Sequence, residues 1–177
     1  MSTHKTGSSM YVIAIVGFIA LFAWLFSAEI DERRNPNRAV ATTELADGTT
    51  RVILERNRAG HYVANGRIND VTAEFIVDTG ATDVAVSADL AAAAGLPRGP
   101  AHPIVTANGR ATAYATRIAR LELGGIVEHD VSASIVPNMA AIDVLLGMSF
   151  LRRLDFAQRG NQLILERPGA GVPEEPL

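Results

Sequence analysis

The segment of this chain best suited to chemistry is Asp78-Thr79-Gly80, which follows the apolar residues Phe75-Ile76-Val77 and precedes Ala81-Thr82. An apolar run bounded by a turn signal predicts a buried strand, and Gly80 predicts that the chain turns there. Asp78 is therefore expected where a rigid strand meets a tight loop. A carboxylate this close to a core costs free energy unless it has partners or a function. Alone, the tripeptide indicates little, because aspartate is common in turns.

A second segment makes the Asp78-Thr79-Gly80 tripeptide informative. Val144-Leu145-Leu146-Gly147 is followed by Met148-Ser149-Phe150-Leu151. With these motifs the chain resembles the retropepsin-like aspartic proteases and, more narrowly, the membrane-anchored single-domain bacterial members of that clan. In that family an apolar-apolar-glycine strand threads the loop that carries the catalytic Asp-Thr-Gly, and a short helix follows. The resemblance extends over about Thr50 to Arg167.

The resemblance assigns roles to ten positions. It implies that Asp78 is catalytic, that Thr79 hydrogen-bonds across a pair of aspartates, and that Gly80 lets the backbone approach the substrate. Further residues are implied to bind substrate beside the loop or from a flap: Ala81, Thr82, Asp83, Thr106, Ala107, Asn108 and Gly109. Asn108-Gly109 is a preferred two-residue hairpin turn in its own right, and its flap role is implied by the resemblance only.

Hydrolysis of an amide by paired carboxylates needs two acids that share one proton, one as general base and one as general acid. This chain supplies one aspartate in the required context. Asp143 precedes its strand instead of following it, Asp47-Gly48 lacks an apolar strand, and the remaining aspartates lack the tripeptide. The resemblance therefore implies a symmetric homodimer with one Asp78 from each subunit, acting on peptides or proteins. No metal or cofactor is expected.

The sequence departs from the retroviral pattern at two positions. Retroviral enzymes carry a second aspartate where this chain has Thr82, and an arginine where it has Met148. The salt bridge that those residues form in the retroviral dimer is therefore missing here. We expect apolar contacts of Met148 and Phe150 to brace the dimer instead.

Other interpretations of these motifs are weaker or remain open. Gly147-Met148-Ser149 begins like a nucleophile elbow, but Leu151 stands where the final glycine belongs. The four histidines lack the spacing of a zinc site. A membrane-anchored peptide-binding or adaptor domain without activity is the main alternative to an enzyme.

Composition narrows the class of protein. The chain has 177 residues, a net charge of −3 and no cysteine. This length predicts one domain with appendages. The charge does not suggest a nucleic-acid partner, because such proteins carry a basic excess, and disulfides and thiol catalysis are excluded.

The N-terminal part of the chain predicts a membrane anchor. Residues 1–9 form a polar tail, and residues 10–28 predict a transmembrane helix, since residues 10–26 contain no charged side chain and about 20 apolar residues span a bilayer. A cleaved signal peptide is the alternative, although its apolar region is ordinarily shorter. Arg33, Arg34 and Arg38 favour a cytoplasmic domain by the positive-inside rule, whereas the family resemblance implies the periplasmic side of the inner membrane, which we expect.

The remaining pattern predicts an all-β domain, a small closed β-barrel of the retropepsin type with one or two short helices. Residues 29–49 predict a linker, residues 50–167 the domain and residues 168–177 a disordered tail. A hairpin is predicted from His61–Ile68 and Val71–Val77, turning at Asn65-Gly66 or Asn69-Asp70. The other predicted elements are strands Thr50–Glu55, Tyr114–Leu123 and Ile126–Val136, a helix over Ala88–Ala94 between Ser87 and Gly95, a loop over Arg98–Pro103, a helix over Met148–Arg153, and a pairing of Phe156 with Leu163–Glu166 around Gly160-Asn161.

Overall fold

The computed structural model describes residues 15–18, 21, 34–106, 109–139 and 142–169. Its contacts divide the chain into two units, Met1–Arg34 and Asn35–Leu177. The predicted membrane segment, residues 10–28, lies outside the described residues except at positions 15–18 and 21. Within the described part, no helix is long and apolar enough to cross a membrane. The predicted tails also lie outside it, apart from residues 168 and 169.

The described part of the second unit is mostly β, which confirms the predicted class. It contains two short helices, α1 (Ala88–Ala93) and α2 (Met148–Leu151). Its strands are β1 (Ala41–Glu44), β2 (Thr50–Glu55), β3 (Tyr62–Ile68), β4 (Val71–Val77), β5 (Val84–Ser87), β6 (Ala101–Thr106), β7 (Gly109–Leu123), β8 (Ile126–Val136), β9 (Val144–Leu146), β10 (Asp155–Arg159) and β11 (Gln162–Arg167).

The strands form two sheets. One has four strands in the order β1-β2-β11-β10, and the other has seven in the order β3-β4-β9-β5-β8-β7-β6, with an additional pairing of β3 to β7. Two pairings in the larger sheet are parallel, β4 with β9 and β5 with β8. Each parallel pairing places two strands that are distant in sequence next to each other. The β4–β9 pairing brings the Asp-Thr-Gly motif next to the Leu-Leu-Gly motif. The closed barrel stays a prediction.

Local sequence explains the hairpin and helix that flank the Asp-Thr-Gly segment. The β3–β4 hairpin turns at Asn69-Asp70, with Asn69 at a φ of 51°, a left-handed conformation that asparagine tolerates. The alternative turn at Asn65-Gly66 is excluded because both residues lie inside β3. Ser87 caps α1 by accepting a hydrogen bond from the Leu90 N–H at 3.3 Å, as predicted.

Apolar side chains from both sheets and both helices form one core. Phe75 of β4, Leu146 of β9 and Phe150 of α2 are fully buried in it. The expectation that Phe150 braces a dimer is therefore wrong, because its side chain is fully buried within its own chain. Met148 is half-buried and packs against the same core. The expectation that Met148 braces a dimer stays a prediction.

Two predicted segments differ from the structure. The predicted linker, residues 29–49, contains β1, and its buried Asn37 joins the fold by donating to the carbonyls of Glu55 at 2.9 Å and Val63 at 2.7 Å. Polar composition suggested a tether, but a buried amide can replace apolar contacts when its hydrogen bonds are satisfied. The predicted loop over Arg98–Pro103 is wrong from Ala101 onward, where β6 begins. Pro103 is tolerated because β6 is an edge strand.

Candidate active site

Asp78 is positioned by the parallel pairing of β4 with β9. Val77 lies opposite Leu146 in the register. The backbone N–H of Asp78 then donates to the Leu146 carbonyl at 3.0 Å, one residue beyond the end of β4. The carboxylate therefore emerges from the end of a strand that is held on its flank by the second motif.

Gly147 lets the chain thread the Asp78 loop. The N–H of Met148 donates to the Ala81 carbonyl and that of Ser149 to the Thr82 carbonyl, both at 2.9 Å. A Cβ at position 147 would lie 2.8 Å from the Ala81 carbonyl oxygen and still closer to that of Asp83. Only glycine fits this approach without a backbone shift. The loop of residues 78–83 is thus clamped around the Leu146-Gly147 segment.

A buried serine completes the clamp. Ser149 is 4% exposed. Its Oγ accepts a hydrogen bond from the Val84 N–H at 2.9 Å and donates to the Ser132 carbonyl at 3.3 Å. The Ser149 hydroxyl, part of the segment that partly matches a nucleophile elbow, is therefore structural, since it is buried and bonds two backbone groups of its own chain.

The Asp78 side chain itself is exposed. One carboxylate oxygen accepts a hydrogen bond from the Gly80 N–H at 2.8 Å, and the Asp78 carbonyl accepts from the Ala81 N–H at 3.2 Å. These bonds orient the carboxylate over the loop, and its second oxygen accepts no hydrogen bond from the described residues. Thr79 and Gly80 are exposed beside it.

Asp78 and Thr79 line a cavity of about 660 Å³. Its lining is mixed, and the apolar part is formed by Ile76, Val77, Ile142, Leu145, Phe156 and Leu163. Arg56, Gly60, His61, Tyr62 and Gln158 complete the lining. Asp78 is the only carboxylate among the described residues that line it. A cleft with apolar wall segments, polar groups and one placed acid suits an extended peptide with bulky side chains.

The other predicted site residues are dispersed. Asp83 lines a separate cavity of about 540 Å³ together with Arg98, His102 and Ser134. Thr106 and Gly109 face each other at the tip of the β6–β7 hairpin, where the Thr106 Oγ1 donates to the Gly109 carbonyl at 2.9 Å. Ala107 and Asn108 lie outside the described residues. A hairpin is present here, but Gly109 is the first residue of β7 and pairs with Thr106, so it does not lie in the turn as predicted. The role of the hairpin as a flap stays a prediction.

The sequence motifs do not indicate several of the cavity residues. Tyr62 lies opposite Val77 in the β3–β4 register, which brings its ring beside the Asp78 loop. Its hydroxyl oxygen is buried and has no hydrogen-bond partner among the described residues. Phe156 is 40% exposed although it is a large apolar residue. The β3–β4 pairing register identifies Tyr62 as a neighbour of the Asp78 loop. The position of Phe156 beside Asp78 is seen only in the folded chain.

No metal site accompanies this arrangement in the described part of the chain, where no group of three or more His, Cys, Asp or Glu residues is placed to hold an ion. The chemical group that the described part of the cleft offers is one exposed carboxylate, that of Asp78. The expectation that the protein needs no metal or cofactor stays a prediction.

The fold and the threaded Asp-Thr-Gly loop define the class as retropepsin-like aspartic proteases. A crystal structure titled as a retropepsin-like aspartic protease from Rickettsia conorii matches with a TM-score of 0.58 and 29% identity, covering 73% of this chain and 96% of that one. Residues 64–153 match the family described as "gag-polyprotein putative aspartyl protease", and the chain belongs to that family.

Two curated relatives extend the match. A protein from Sinorhizobium sp, described as an uncharacterized protein in the cobV 5′ region, is 29% identical over 172 residues, which cover 89% of this chain and 72% of the relative. A Rickettsia prowazekii protein, described as uncharacterized protein RP867, is 26% identical over 151 residues, covering 82% of this chain. The match covers 63% of the Rickettsia prowazekii protein, less than two thirds of its length.

Proposed function

We propose that this protein is an aspartic endopeptidase that works as a homodimer, hydrolysing peptide bonds with a water activated between two Asp78 carboxylates. The observation that carries the proposal is the placement of Asp78. It is the single carboxylate among the described lining residues of a cavity with apolar wall segments, and it is held by its backbone bond to Leu146. One chain thus supplies half of the pair that the reaction needs.

The chemistry follows from two carboxylates meeting on a two-fold axis. Like charges at about 3 Å cannot both be ionised, so the pair holds one proton between them. The ionised member takes a proton from water, which attacks the peptide carbonyl. The protonated member polarises that carbonyl, and a proton then passes to the leaving amine as the C–N bond breaks.

Residues around Asp78 have supporting roles in this proposal. Thr79 hydrogen-bonds across the two loops, and Gly80 admits the substrate backbone next to the carboxylates. Apolar walls from Ile76 and Leu145 take bulky substrate side chains, because burying apolar surface drives such binding. The β6–β7 hairpin closes over the bound peptide and excludes water. Ala81, Thr82 and Asp83 contact the peptide farther from the scissile bond.

We further propose that residues 10–28 tether the enzyme to the inner membrane, with the catalytic domain on the periplasmic side. The uncharged stretch of residues 10–26 supports the tether. Holding two copies in one membrane raises their effective concentration and favours the dimer. A reporter fused after Leu177 tests the side of the membrane, and activity of a cytoplasmic-only reporter there contradicts the periplasmic placement.

The proposed activity is tested by incubating the full-length chain, in detergent, with a library of peptides and identifying the cleavage products by mass spectrometry. Asp78→Asn is expected to abolish cleavage and keep the fold, because the amide replaces the carboxylate without changing its shape. Asp70→Asn is the matched control, since the Asp70 side chain is 99% exposed in a hairpin turn. Cleavage that persists in a folded Asp78→Asn variant overturns the proposal. A wild-type protein that binds peptides and never cleaves them identifies the adaptor alternative.

A further inference from the structure

Arg56 brings a positive charge to the cavity that contains Asp78. The residue is exposed and lines this cavity together with Asp78 and Thr79. Among the described lining residues it is the only lysine or arginine, as Asp78 is the only carboxylate. A ligand in the described part of the cavity therefore meets one arginine cation in addition to the carboxylate.

The strand register gives the separation between Arg56 and Asp78. Arg56 forms an isolated antiparallel bridge with Tyr62, and Tyr62 lies opposite Val77, the residue before Asp78. Neighbouring strands lie about 4.8 Å apart, so the path from Val77 across Tyr62 to Arg56 measures about 10 Å between backbones. An extended peptide covers the same distance in about three residues.

Hydrogen bonds hold both the backbone and the side chain of Arg56. Its backbone N–H donates to the Asn161 carbonyl at 2.9 Å, and its carbonyl accepts from the Asn161 side-chain amide at 3.3 Å. The Arg56 Nε donates to the Gly60 carbonyl at 2.9 Å, which orients the guanidinium plane. Its terminal N–H groups donate to no described residue. The guanidinium is thus positioned and still has donors to offer a ligand.

The acidic groups of the described chain do not neutralise Arg56, which forms no ion pair with a described residue. Glu55 precedes it in the chain, but the Glu55 carboxylate accepts a hydrogen bond from the Gln162 amide at 2.6 Å. Asp78 is too far away for a strong interaction, because charges in water are screened over about 8 Å at physiological ionic strength. The positive charge of Arg56 is therefore available to an anion in the cavity.

We propose that Arg56 determines substrate specificity by binding the carboxylate of an aspartate or glutamate side chain, within about three residues of the peptide bond that is cleaved. The planar guanidinium matches a carboxylate in a bidentate pair. The bound peptide covers this pair and removes water, which strengthens it relative to an ion pair on an open surface. The preferred substrates combine this acidic residue with bulky apolar residues against Ile76 and Leu145. The proposal rests on the proposed function in one respect, that a peptide lies in the Asp78 cavity.

Charge reversal tests the role of Arg56. The full-length chain in detergent is given pairs of peptides that differ only in a glutamate or a lysine at one position near the cleaved bond. Their C-termini are amidated, so that a side chain supplies the carboxylate. The wild-type protein is expected to cleave the glutamate peptide with a kcat/KM about tenfold higher than the lysine peptide, mainly through a lower KM. Arg56→Glu is expected to reverse that order.

Arg58→Glu is the matched control for Arg56→Glu. Arg58 is also exposed and lines a neighbouring cavity of about 510 Å³ with Arg56, but it does not line the Asp78 cavity. Both variants change the net charge equally, so a general electrostatic effect alters them equally, whereas direct contact alters only Arg56→Glu. Arg56→Lys keeps the charge and loses the planar fork. It is expected to retain a weaker preference for the glutamate peptide.

Peptide binding separates this proposal from the proposed activity. In the full-length Asp78→Asn variant, fluorescence anisotropy of the same labelled peptides measures dissociation constants without hydrolysis. The glutamate peptide is expected to bind about tenfold more tightly than the lysine peptide, and adding Arg56→Glu removes that advantage. This result stands even if the wild-type protein never cleaves a peptide. Equal affinities for the two peptides, binding of neither, or equal effects of Arg56→Glu and Arg58→Glu overturn the role of Arg56.

Discussion

The backbone N–H of Asp78 donates to the carbonyl of Leu146 at 3.0 Å, which joins two motifs that lie far apart in the sequence. The bond continues the parallel β4–β9 ladder by one residue beyond its last paired position. It fixes the point at which the chain leaves the sheet and therefore the direction of the carboxylate. The geometry of Asp78 depends as much on β9 as on its own strand.

Gly147 is expected to tolerate no side chain. A Cβ there overlaps the carbonyl oxygens of Ala81 and Asp83, which belong to backbone and cannot swing away. Gly147→Ala is expected to lower the free energy of unfolding by about 3 kcal/mol and to reduce hydrolysis, because the Asp78 loop must shift. Urea unfolding followed by circular dichroism measures the first effect.

The control for this substitution is Gly95→Ala. Gly95 has a φ of +64° and open space around its Cα, so alanine there costs only the left-handed conformation, about 1–2 kcal/mol, and leaves the loop in place. Equal losses of activity in the two variants would show that the clamp around Gly147 is unimportant.

Ser149 is expected to stabilise the loop without taking part in chemistry. Ser149→Ala removes the acceptor for the Val84 N–H and leaves that group buried and unsatisfied, at a cost of about 1–3 kcal/mol. Ser87→Ala, which removes the cap of α1, is expected to cost about 1 kcal/mol. Thermal unfolding of both variants compares them. Complete loss of hydrolysis in a folded Ser149→Ala variant would instead indicate a nucleophile.

The unsatisfied hydroxyl of Tyr62 predicts an unusual result. Tyr62→Phe removes a buried oxygen that has no hydrogen-bond partner among the described residues. The free energy of unfolding, measured in urea, is therefore expected to rise by about 1 kcal/mol. A fall of the same size in the isolated chain would show that the hydroxyl has a hydrogen-bond partner in the folded state.

Val105 near the tip of the β6–β7 hairpin is expected to act on substrate. It is 83% exposed, so replacing it has little effect on stability, within about 0.5 kcal/mol. If the hairpin closes over bound peptide, Val105→Asp raises KM by placing a charge against an apolar substrate, while kcat changes less. Arg110→Ala, at the exposed position of β7 that pairs with Val105, is the comparison. An unchanged KM in Val105→Asp contradicts the flap.

The sequence was informative where local signals and the fold agree. The β3–β4 hairpin, the α1 cap and the β10–β11 pairing follow from turn residues and alternation of apolar positions. Prediction from the sequence failed where contacts between residues distant in the chain decide which side chains are buried. Nothing local to Asn37 indicates that its amide will bridge β2 and β3, and Phe150 looks like any apolar residue on a short helix until the core closes around it.

In the candidate site, too, the residues that local sequence patterns indicate were predicted, and those placed by long-range contacts were not. Asp78, Thr79 and the clamp by Leu146-Gly147 were predictable because both motifs have a recognisable local pattern. Phe156 and Tyr62 reach the cavity through sheet register and through pairing with other strands, which a single sequence does not display. The separate cavity around Asp83 was missed for the same reason.

The measurement that tests the central claim most directly is hydrolysis by mixtures of wild-type and Asp78→Asn subunits, re-associated from separated chains at constant total concentration. If each active site takes one Asp78 from each of two copies, activity falls with the square of the wild-type fraction, to about one quarter at equal mixing. A linear fall, to about one half, would contradict the account, because it would mean that a single chain carries a complete site.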